Sequence, residues 1–390
     1  MSRLYPSQKF WDLSQDREGL GGAYRFLGKL SWKRKGFEGA YGLARGTISK
    51  FEEILYEISE DPRCMHVREL NKRRLLKRKH YFYATYLAVL SSLPILRTVP
   101  GDVLLDTLVA KVAMITSIKT LDNINDLWHS EEEARASLNR QLGVFLGREV
   151  EFREDGTEVG MAENFTYRLA EITRDMLKRR ANPKGRMFQK YIQDFEKYIK
   201  GQTDSMLQKK AESLDIRKFL KEVNEKGVGN VWIDIDFCVL EGLMDLSEDE
   251  LKSLELIGRC IDLVFKGCNI YDDVADLEED LKSGIYNSVV YLALDKGWCY
   301  FENGRPNVLN KAKMAAVRLG DLLFLKGLDY LHEAAKLTKL IDTEGIAYGL
   351  KILRVFSMRK WLTRVNNPLT IASALMVKAT PSVMVYSDYI

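Results

Sequence analysis

Two aspartates extend the apolar stripe of a predicted helix that ends in LDNINDLW. The stripe is formed by Leu108, Val112, Ile115 and Ile118. Continuing by steps of four residues leads to Asp122 and Asp126, so both carboxylates are predicted on the face that points to the interior. Carboxylates one helical turn apart lie roughly 5–6 Å from each other and repel. The pair therefore predicts a nearby positive charge.

A second helix repeats this arrangement in the segment NIYDDVADLEEDLKSGIYN. Its apolar stripe is formed by Ile261, Val264 and Cys268. Steps of four then give Asp272, Asp276 and Asp280, followed by Gly284. The neighbouring acidic residues fall off the stripe and are expected to be solvated: Asp273, Glu278 and Glu279. A single DxxxD on a helix is most often a surface feature, but two that each extend an apolar stripe favour a site.

The chemistry of such a site follows from the cost of burying carboxylates. An unpaired buried carboxylate is strongly unfavourable, and the two stripes themselves contain no basic residue. Mg²⁺ takes oxygen ligands and keeps positions open for water and phosphate oxygens. Two aspartate-lined helix ends facing one cavity would hold a small Mg²⁺ cluster. Helped by Lys and Arg, such a cluster neutralises a diphosphate and favours its departure.

Helices must position these residues, because nearly every long segment of the 390-residue chain has helical periodicity. Helices are predicted over residues 50–60, 66–93, 101–130, 160–183, 187–212, 228–245, 248–282, 308–338 and 343–365. Runs of β-branched alternation and linker-like segments are not evident. The prediction is a single all-α domain over residues 51–390, preceded by an N-terminal extension over residues 1–50 that is rich in Gly and aromatic residues.

Composition excludes several classes of protein. The net charge of +4 implies no nucleic-acid partner. The 5 cysteines form no CxxC pair and the 4 histidines stand in no ligand-like motif, so neither a disulfide framework nor a zinc site is indicated. No signal peptide or membrane-spanning run is evident, which predicts a soluble, cytoplasmic protein. The basic run over residues 72–79 predicts a solvated helix face or a membrane-surface contact.

These motifs resemble the class I isoprenoid synthases, an all-α fold with acidic motifs on two facing helices. Within that superfamily the chain is most similar to bacterial large-terpene synthases of the tetraprenyl-β-curcumene synthase type. LDNINDLW resembles the first motif of that family, and FREDGTEVG (residues 152–160) resembles its acidic loop between helices. DDVADLEEDLKSGIYN resembles its second motif. The resemblance extends over roughly residues 70–365 and is strong only at these segments.

The resemblance implies a Mg²⁺-dependent enzyme that binds three ions and the diphosphate of a long polyprenyl substrate. The implied enzyme ionises the substrate and then either cyclises the resulting cation or removes a proton from it. The resemblance assigns Asp122, Asp126, Asp272, Asp276 and Asp280 as metal ligands. The family tends to have another Asp at the position of Lys119, which implies altered metal stoichiometry or a direct contact between Lys119 and the diphosphate.

Other basic residues are candidates for binding the diphosphate. The resemblance implies a sensor near a helix break at residues 227–229, where Arg217, Lys221 and Lys226 compete. Near the C-terminus, Arg354, Arg359 and Arg364 recur at a spacing of five and are expected to be mostly solvated. Aromatic residues expected to line the pocket are Tyr81, Phe82, Tyr86, Trp232 and Phe265.

Three alternative functions remain open from the sequence. A chain-elongating prenyl transferase is disfavoured, because the segment after the first motif contains only Arg135 and Gly284 is followed by Ile285 rather than Lys. A head-to-head condensing enzyme of the squalene or phytoene synthase type is similar in its DxxED motif but usually has a basic residue after that glycine. The third alternative is a non-catalytic protein of the same fold that binds a prenyl lipid.

Overall fold

The structure of the protein is a computed structural model that describes residues 37–206, 215–221, 227–302 and 305–390. Fifteen α-helices dominate this part of the chain, which confirms the predicted all-α fold. They are α1 (Phe37–Ile58), α2 (Val67–Lys72), α3 (Arg78–Ile95), α4 (Gly101–Trp128), α5 (Glu131–Phe145), α6 (Glu158–Arg180), α7 (Arg186–Met206), α8 (Ile216–Lys221), α9 (Gly229–Leu243), α10 (Glu248–Lys282), α11 (Ser288–Asp295), α12 (Asn310–Leu337), α13 (Thr343–Arg364), α14 (Pro368–Leu375) and α15 (Pro381–Met384). Two short antiparallel strands, β1 (Cys299–Glu302) and β2 (Arg305–Val308), join α11 to α12, with Cys299 opposite Val308.

Capping residues define where several helices begin. Ser130 forms a capping box with Glu133 at the start of α5, and Ser247 forms one with Glu250 at the start of α10. In each box the serine side chain accepts the Glu backbone N–H, and the Glu carboxylate accepts the serine N–H. Because the first N–H groups of a helix have no partner within it, these boxes fix the starting residues.

Several helix boundaries differ from the sequence prediction. α1 begins at Phe37, so the expected boundary near residue 50 falls inside this helix. The helix predicted over residues 66–93 is divided into α2 and α3, because Arg74 has a φ of 63° and reverses the chain between them. Such a left-handed residue is typical of the end of a helix. The helices that were not predicted are α5, α8, α11, α14 and α15.

Close backbone contact fixes α10 against α12. A Cβ on Gly267 of α10 would lie 2.9 Å from the main-chain O of Gly320 on α12. A Cβ on Gly327 of α12 would lie 2.8 Å from the main-chain O of Cys260 on α10. Only glycine permits this approach at both places. The pairing holds the 35-residue helix α10 in place, and with it the aspartates of its last three turns.

The interior contains a small apolar cavity of about 30 Å³ between α3, α9, α10 and α13. Its lining includes Leu87, Trp232, Phe265, Gly349 and Leu353. This volume is about that of one water molecule. Within the described ranges, no helix has both the length and the apolar character needed to cross a membrane.

Candidate functional site

The first carboxylate pair lies at the solvent-accessible end of α4. Asp122 and Asp126 occupy its last two turns, where Asp126 is exposed and the side chain of Asp122 is 45% exposed. The amide of Asn123 donates to the main-chain O of Leu75 at 2.7 Å and ties this helix end to the turn before α3. The pair therefore continues the apolar stripe, as predicted, but emerges at the surface rather than in the core.

Lys119 connects the two acidic helices electrostatically. Its Nζ lies 3.2 Å from Oδ2 of Asp122, one turn further along α4. The charge of Asp122 raises the pKa of Lys119 against the effect of burial, and Asp272 and Asp126 raise it further. Because Asp272 belongs to α10, the charge of that helix also acts on a lysine of α4.

The second carboxylate pair binds a lysine that the sequence did not indicate. Nζ of Lys360, on α13, lies 3.0 Å from Oδ2 of Asp276 and 3.5 Å from Oδ1 of Asp272. Burial lowers the pKa of Lys360, but the hydrogen bond to Asp276 and the charge of Asp272 raise it more. The stripes themselves contain no basic residue, as the sequence shows, but α13 supplies one from outside them.

Asp280 contacts the start of the next helix. Its Oδ2 accepts a hydrogen bond of 2.8 Å from the amide of Asn287, which caps α11. Asp273 was expected to be solvated, but its Oδ2 accepts the backbone N–H of Ser288 at 3.0 Å and its main-chain O accepts from Asn287. These contacts fix the turn after α10 and distinguish Asp280 from the two aspartates that Lys360 pairs.

Two further residues next to Asp122 had no signal in the sequence. Burial and the charges of Lys77 and Lys119 lower the pKa of His80, on α3, to about 4, whereas Asp122 opposes this shift. Burial raises the pKa of Tyr198, on α7, and the charge of Asp122 adds to the shift. The charge of Asp122 therefore acts on side chains of both α3 and α7.

A buried polar network supports the end of α4. Nε2 of His129 lies 3.0 Å from Oε1 of Glu163, and its Nδ1 lies 2.7 Å from Oδ1 of Asn125. Glu163, which is fully buried on α6, also accepts from Arg140 at 2.8 Å and from Arg153 at 3.2 Å. Arg153 belongs to the acidic loop before α6, so this loop braces the helix that carries the first pair.

The basic residues expected near the helix break contact a different part of the molecule. Nη1 of Arg217 lies 2.8 Å from Oδ1 of Asp295 on α11, and its guanidinium lies over the rings of Tyr386 and Tyr389. Nζ of Lys221 lies 5.1 Å from the ring centre of Tyr389. Lys226 lies outside the described residues. The cations that do pair with these carboxylates include Lys119 and Lys360.

The three arginines near the C-terminus have separate environments. Arg354, expected to be solvated, is buried and donates to Oδ1 of Asp321 at 2.6 Å. Arg359 lies over the ring of Phe356 at 3.6 Å from its centre. Arg364 donates to the main-chain O of Ala275 at 2.8 Å, between the turns that carry the second pair.

The donor set can be compared with what Mg²⁺ requires. No group of three or more His, Cys, Asp or Glu side chains is close enough to hold a metal ion within the part of the chain that the structure describes. Each helix offers two carboxylates instead. Mg²⁺ in phosphate-binding sites is commonly held by one or two carboxylates, with substrate phosphates and water completing its shell. Two carboxylates on each helix are therefore compatible with Mg²⁺ only where phosphate or water oxygens complete its shell.

The apolar cavity lies below this acidic surface on the same helices. Phe265, Leu353 and Leu87 line it, and each stands seven residues from a member of the acidic group: Asp272, Lys360 and His80 respectively. Seven residues of α-helix span roughly 10 Å. Of the five aromatic residues expected to line a pocket, Trp232 and Phe265 do so. The arrangement is a charged entrance about two turns above an apolar interior.

The chain was also compared with known proteins. No protein-family model matches it, and no curated protein matches it either. The resemblance to class I isoprenoid synthases thus stays a prediction from the motifs. The function has to be argued from the site itself.

Proposed function

We propose that the protein is a Mg²⁺-dependent class I terpene synthase acting on a polyprenyl diphosphate. The observation that carries this proposal is the pairing of carboxylates with lysines at two helix ends, Asp122 with Lys119 and both Asp272 and Asp276 with Lys360, the latter about two turns along α10 and α13 from an apolar cavity. Once the cavity expands, such a site would accommodate a substrate with a diphosphate at one end and a hydrocarbon chain at the other.

Four aspartates would hold Mg²⁺ together with oxygens of the substrate diphosphate: Asp122, Asp126, Asp272 and Asp276. When bound, Mg²⁺ neutralises the negative charge that develops on the departing diphosphate. Lys119 and Lys360 now neutralise aspartates, and each would transfer its hydrogen bonds to diphosphate oxygens when the substrate binds. These ion pairs are partly exposed, so exchanging one partner for another costs little.

The reaction breaks the allylic C–O bond, and the diphosphate leaves with the electron pair. The allylic cation is then attacked by a double bond of the same chain or loses a proton. An apolar lining keeps water from this cation, and the rings of Trp232 and Phe265 stabilise positive charge through cation–π contacts. The cavity must expand around the chain, because it now measures about 30 Å³.

One observation favours a second candidate, a non-catalytic protein that binds a prenyl lipid. Lys119 pairs with Asp122, and Lys360 pairs with Asp272 and Asp276. The acidic residues are therefore compatible with a stable fold whether or not Mg²⁺ binds. The two candidates differ in whether the diphosphate is released.

The test measures diphosphate release and organic products from prenyl diphosphates of increasing length, with and without Mg²⁺. Asp122→Asn and Asp276→Asn are each expected to lower Mg²⁺-dependent release by about 100-fold or more, because each removes charge that holds the metal. The matched control is Asp249→Asn, the same change at an exposed position in the first turn of α10. It is expected to retain wild-type activity.

Three results would separate the alternatives. Full activity in both Asp122→Asn and Asp276→Asn would overturn the proposed site. Binding of a prenyl diphosphate without its hydrolysis or conversion would favour the non-catalytic protein. A product made from two substrate molecules would favour a condensing enzyme over a cyclase.

A further inference from the structure

Helix α14 presents an apolar face to the solvent. Its sequence, PLTIASAL, contains no charged residue, and only Ala374 is buried. The exposed residues are Pro368, Leu369, Ala372, Leu375 and the following Met376. At about 100° per residue these positions fall on one arc of roughly 120°. Leu369 is 80% exposed and Met376 is 50% exposed, so the amphipathic pattern expected of a surface helix is reversed.

Two buried arginines hold this helix in position. Arg318 donates to the main-chain O of Ser373 at 2.6 Å and of Met376 at 2.8 Å. Arg354 donates to the main-chain O of Ala374 at 2.8 Å. Carbonyls in the last turn of a helix otherwise lack partners within it. The apolar face is therefore fixed outward by the interior of the protein, and is not the result of a loosely packed end.

The surroundings of α14 are basic. Between Arg364 and Ser387 the chain contains no Asp or Glu. A groove of about 710 Å³ runs beside α14, and its lining combines Leu369 with Lys311, Lys313 and Arg364. Glu278 in that lining pairs with Lys313 at 3.2 Å, and Arg364 pairs with Glu279 at 3.3 Å, so part of this positive charge is compensated by exposed carboxylates. An apolar face with a basic margin is complementary to a surface that offers both hydrocarbon and negative charge.

We propose that α14 docks on the surface of a lipid bilayer that contains anionic lipids. Leu369, Ala372 and Met376 would enter the boundary between headgroups and acyl chains, while Arg364 and its neighbours contact lipid phosphates. Interfacial helices bind in this way, through apolar burial together with attraction to anionic lipid. An exposed apolar face of this kind marks an interaction site on an otherwise polar surface.

This surface differs from the basic run over residues 72–79, the membrane contact expected from the sequence. That run does not form one helix face, because Arg74 reverses the chain within it. The proposal for α14 is also independent of the proposed reaction, since no residue of α14 belongs to the carboxylate site.

The test is vesicle flotation with the full-length protein. Vesicles contain either phosphatidylcholine alone or phosphatidylcholine with phosphatidylglycerol. Binding is expected to the second kind, and to fall as the ionic strength is raised. Leu369→Ser combined with Met376→Ser is expected to lower the bound-to-free ratio by about tenfold or more, because two apolar side chains no longer enter the bilayer.

The matched control is Leu243→Ser combined with Met244→Ser, a Leu and a Met that are also exposed, at 41% and 38%. This variant is expected to bind as the wild type does. Absence of wild-type binding, or equal losses in the two double variants, would overturn the proposal. Light scattering tests whether a second copy of the chain covers this face instead of a bilayer. A wild-type dimer that becomes a monomer when Leu369→Ser and Met376→Ser are combined would show that it does.

Discussion

Carboxylates and basic side chains meet in two different settings in this protein. At the entrance, Lys360 pairs with Asp276, and the two side chains are 44% and 25% exposed. In the interior, Lys111 pairs with Asp236, and both side chains are completely buried. Both aspartates lie on helices whose neighbouring residues are apolar. The difference is access to water, and it determines what each pair can do.

Solvent access sets how easily a partner can be exchanged. Exposed ion pairs contribute about 0–1 kcal/mol, because water and salt compete for each charge. Removing one partner of a buried pair costs about 3–5 kcal/mol, because the remaining charge is left without hydration. The entrance can therefore release its lysines to a ligand, whereas the interior pairs hold helices together and stay as they are.

The largest expected effect is at Asp321, which lies in the interior on α12. It accepts from Arg318 at 2.7 Å, from Arg354 at 2.6 Å and from Tyr271 at 2.8 Å. Asp321→Asn leaves two buried arginines without a counter-charge and should lower the free energy of unfolding by about 5 kcal/mol. The same change at the entrance, Asp276→Asn, should lower it by less than about 1 kcal/mol. Urea titrations of the two variants measure both values, and similar losses would contradict the distinction.

The pair of Lys111 and Asp236 tests whether interior charges act as a unit. Nζ of Lys111 also donates to Ser91 and Ser92, at 3.0 Å each. Lys111→Met or Asp236→Leu alone should cost about 3 kcal/mol, because each leaves one buried charge. The double variant should lie within about 1 kcal/mol of the wild type, because apolar residues of similar size replace the pair. Denaturation of the two single variants and the double variant measures the free energy of unfolding of each. If the loss in the double variant equals the sum of the two single losses, the two residues act separately.

His80 should give the entrance a pH dependence. Its pKa in the folded protein is lowered from 6.5 to about 4, so the imidazole stays neutral where the unfolded chain takes up a proton. The free energy of unfolding should therefore fall by about 2 kcal/mol as the pH decreases from 6.5 to about 4. His80→Gln should remove this part of the slope. Thermal unfolding across that range measures it, and an unchanged slope would show that other groups are responsible.

The long helices could be predicted from the sequence because their periodicity is local. α10 was predicted over residues 248–282 and α4 over 101–130, close to their observed bounds. α5 was missed although Ser130 and Glu133 form a recognisable capping box before the buried residues Leu138 and Leu142. The split at Arg74 had no signal, because arginine seldom adopts a positive φ.

The sequence predicts the site only through the spacing of residues along a single helix. The spacing places Asp122, Asp126, Asp272 and Asp276 in line with apolar stripes, but it does not reveal where a stripe leaves the core. The pairing with Lys360 could not be predicted, because this lysine is 84 residues from Asp276 in the chain. Nothing in the sequence separates an entrance lysine such as Lys360 from an interior lysine such as Lys111. Only the packing of α13 and α4 against other helices does so.

Lys360 therefore provides the smallest expected change in stability and the most direct test of this distinction. Lys360→Gln should alter the free energy of unfolding by less than about 1 kcal/mol, because water hydrates Asp272 and Asp276 once the lysine is gone. Added salt should reduce even this difference, since it already screens the exposed pair in the wild type. Lys111→Gln is the matched change in the interior and should cost several times more. Urea titrations at low and high salt compare the two variants. A loss at Lys360 as large as that at Lys111 would mean that the entrance lysine is a fixed part of the fold, unable to exchange aspartate for a diphosphate.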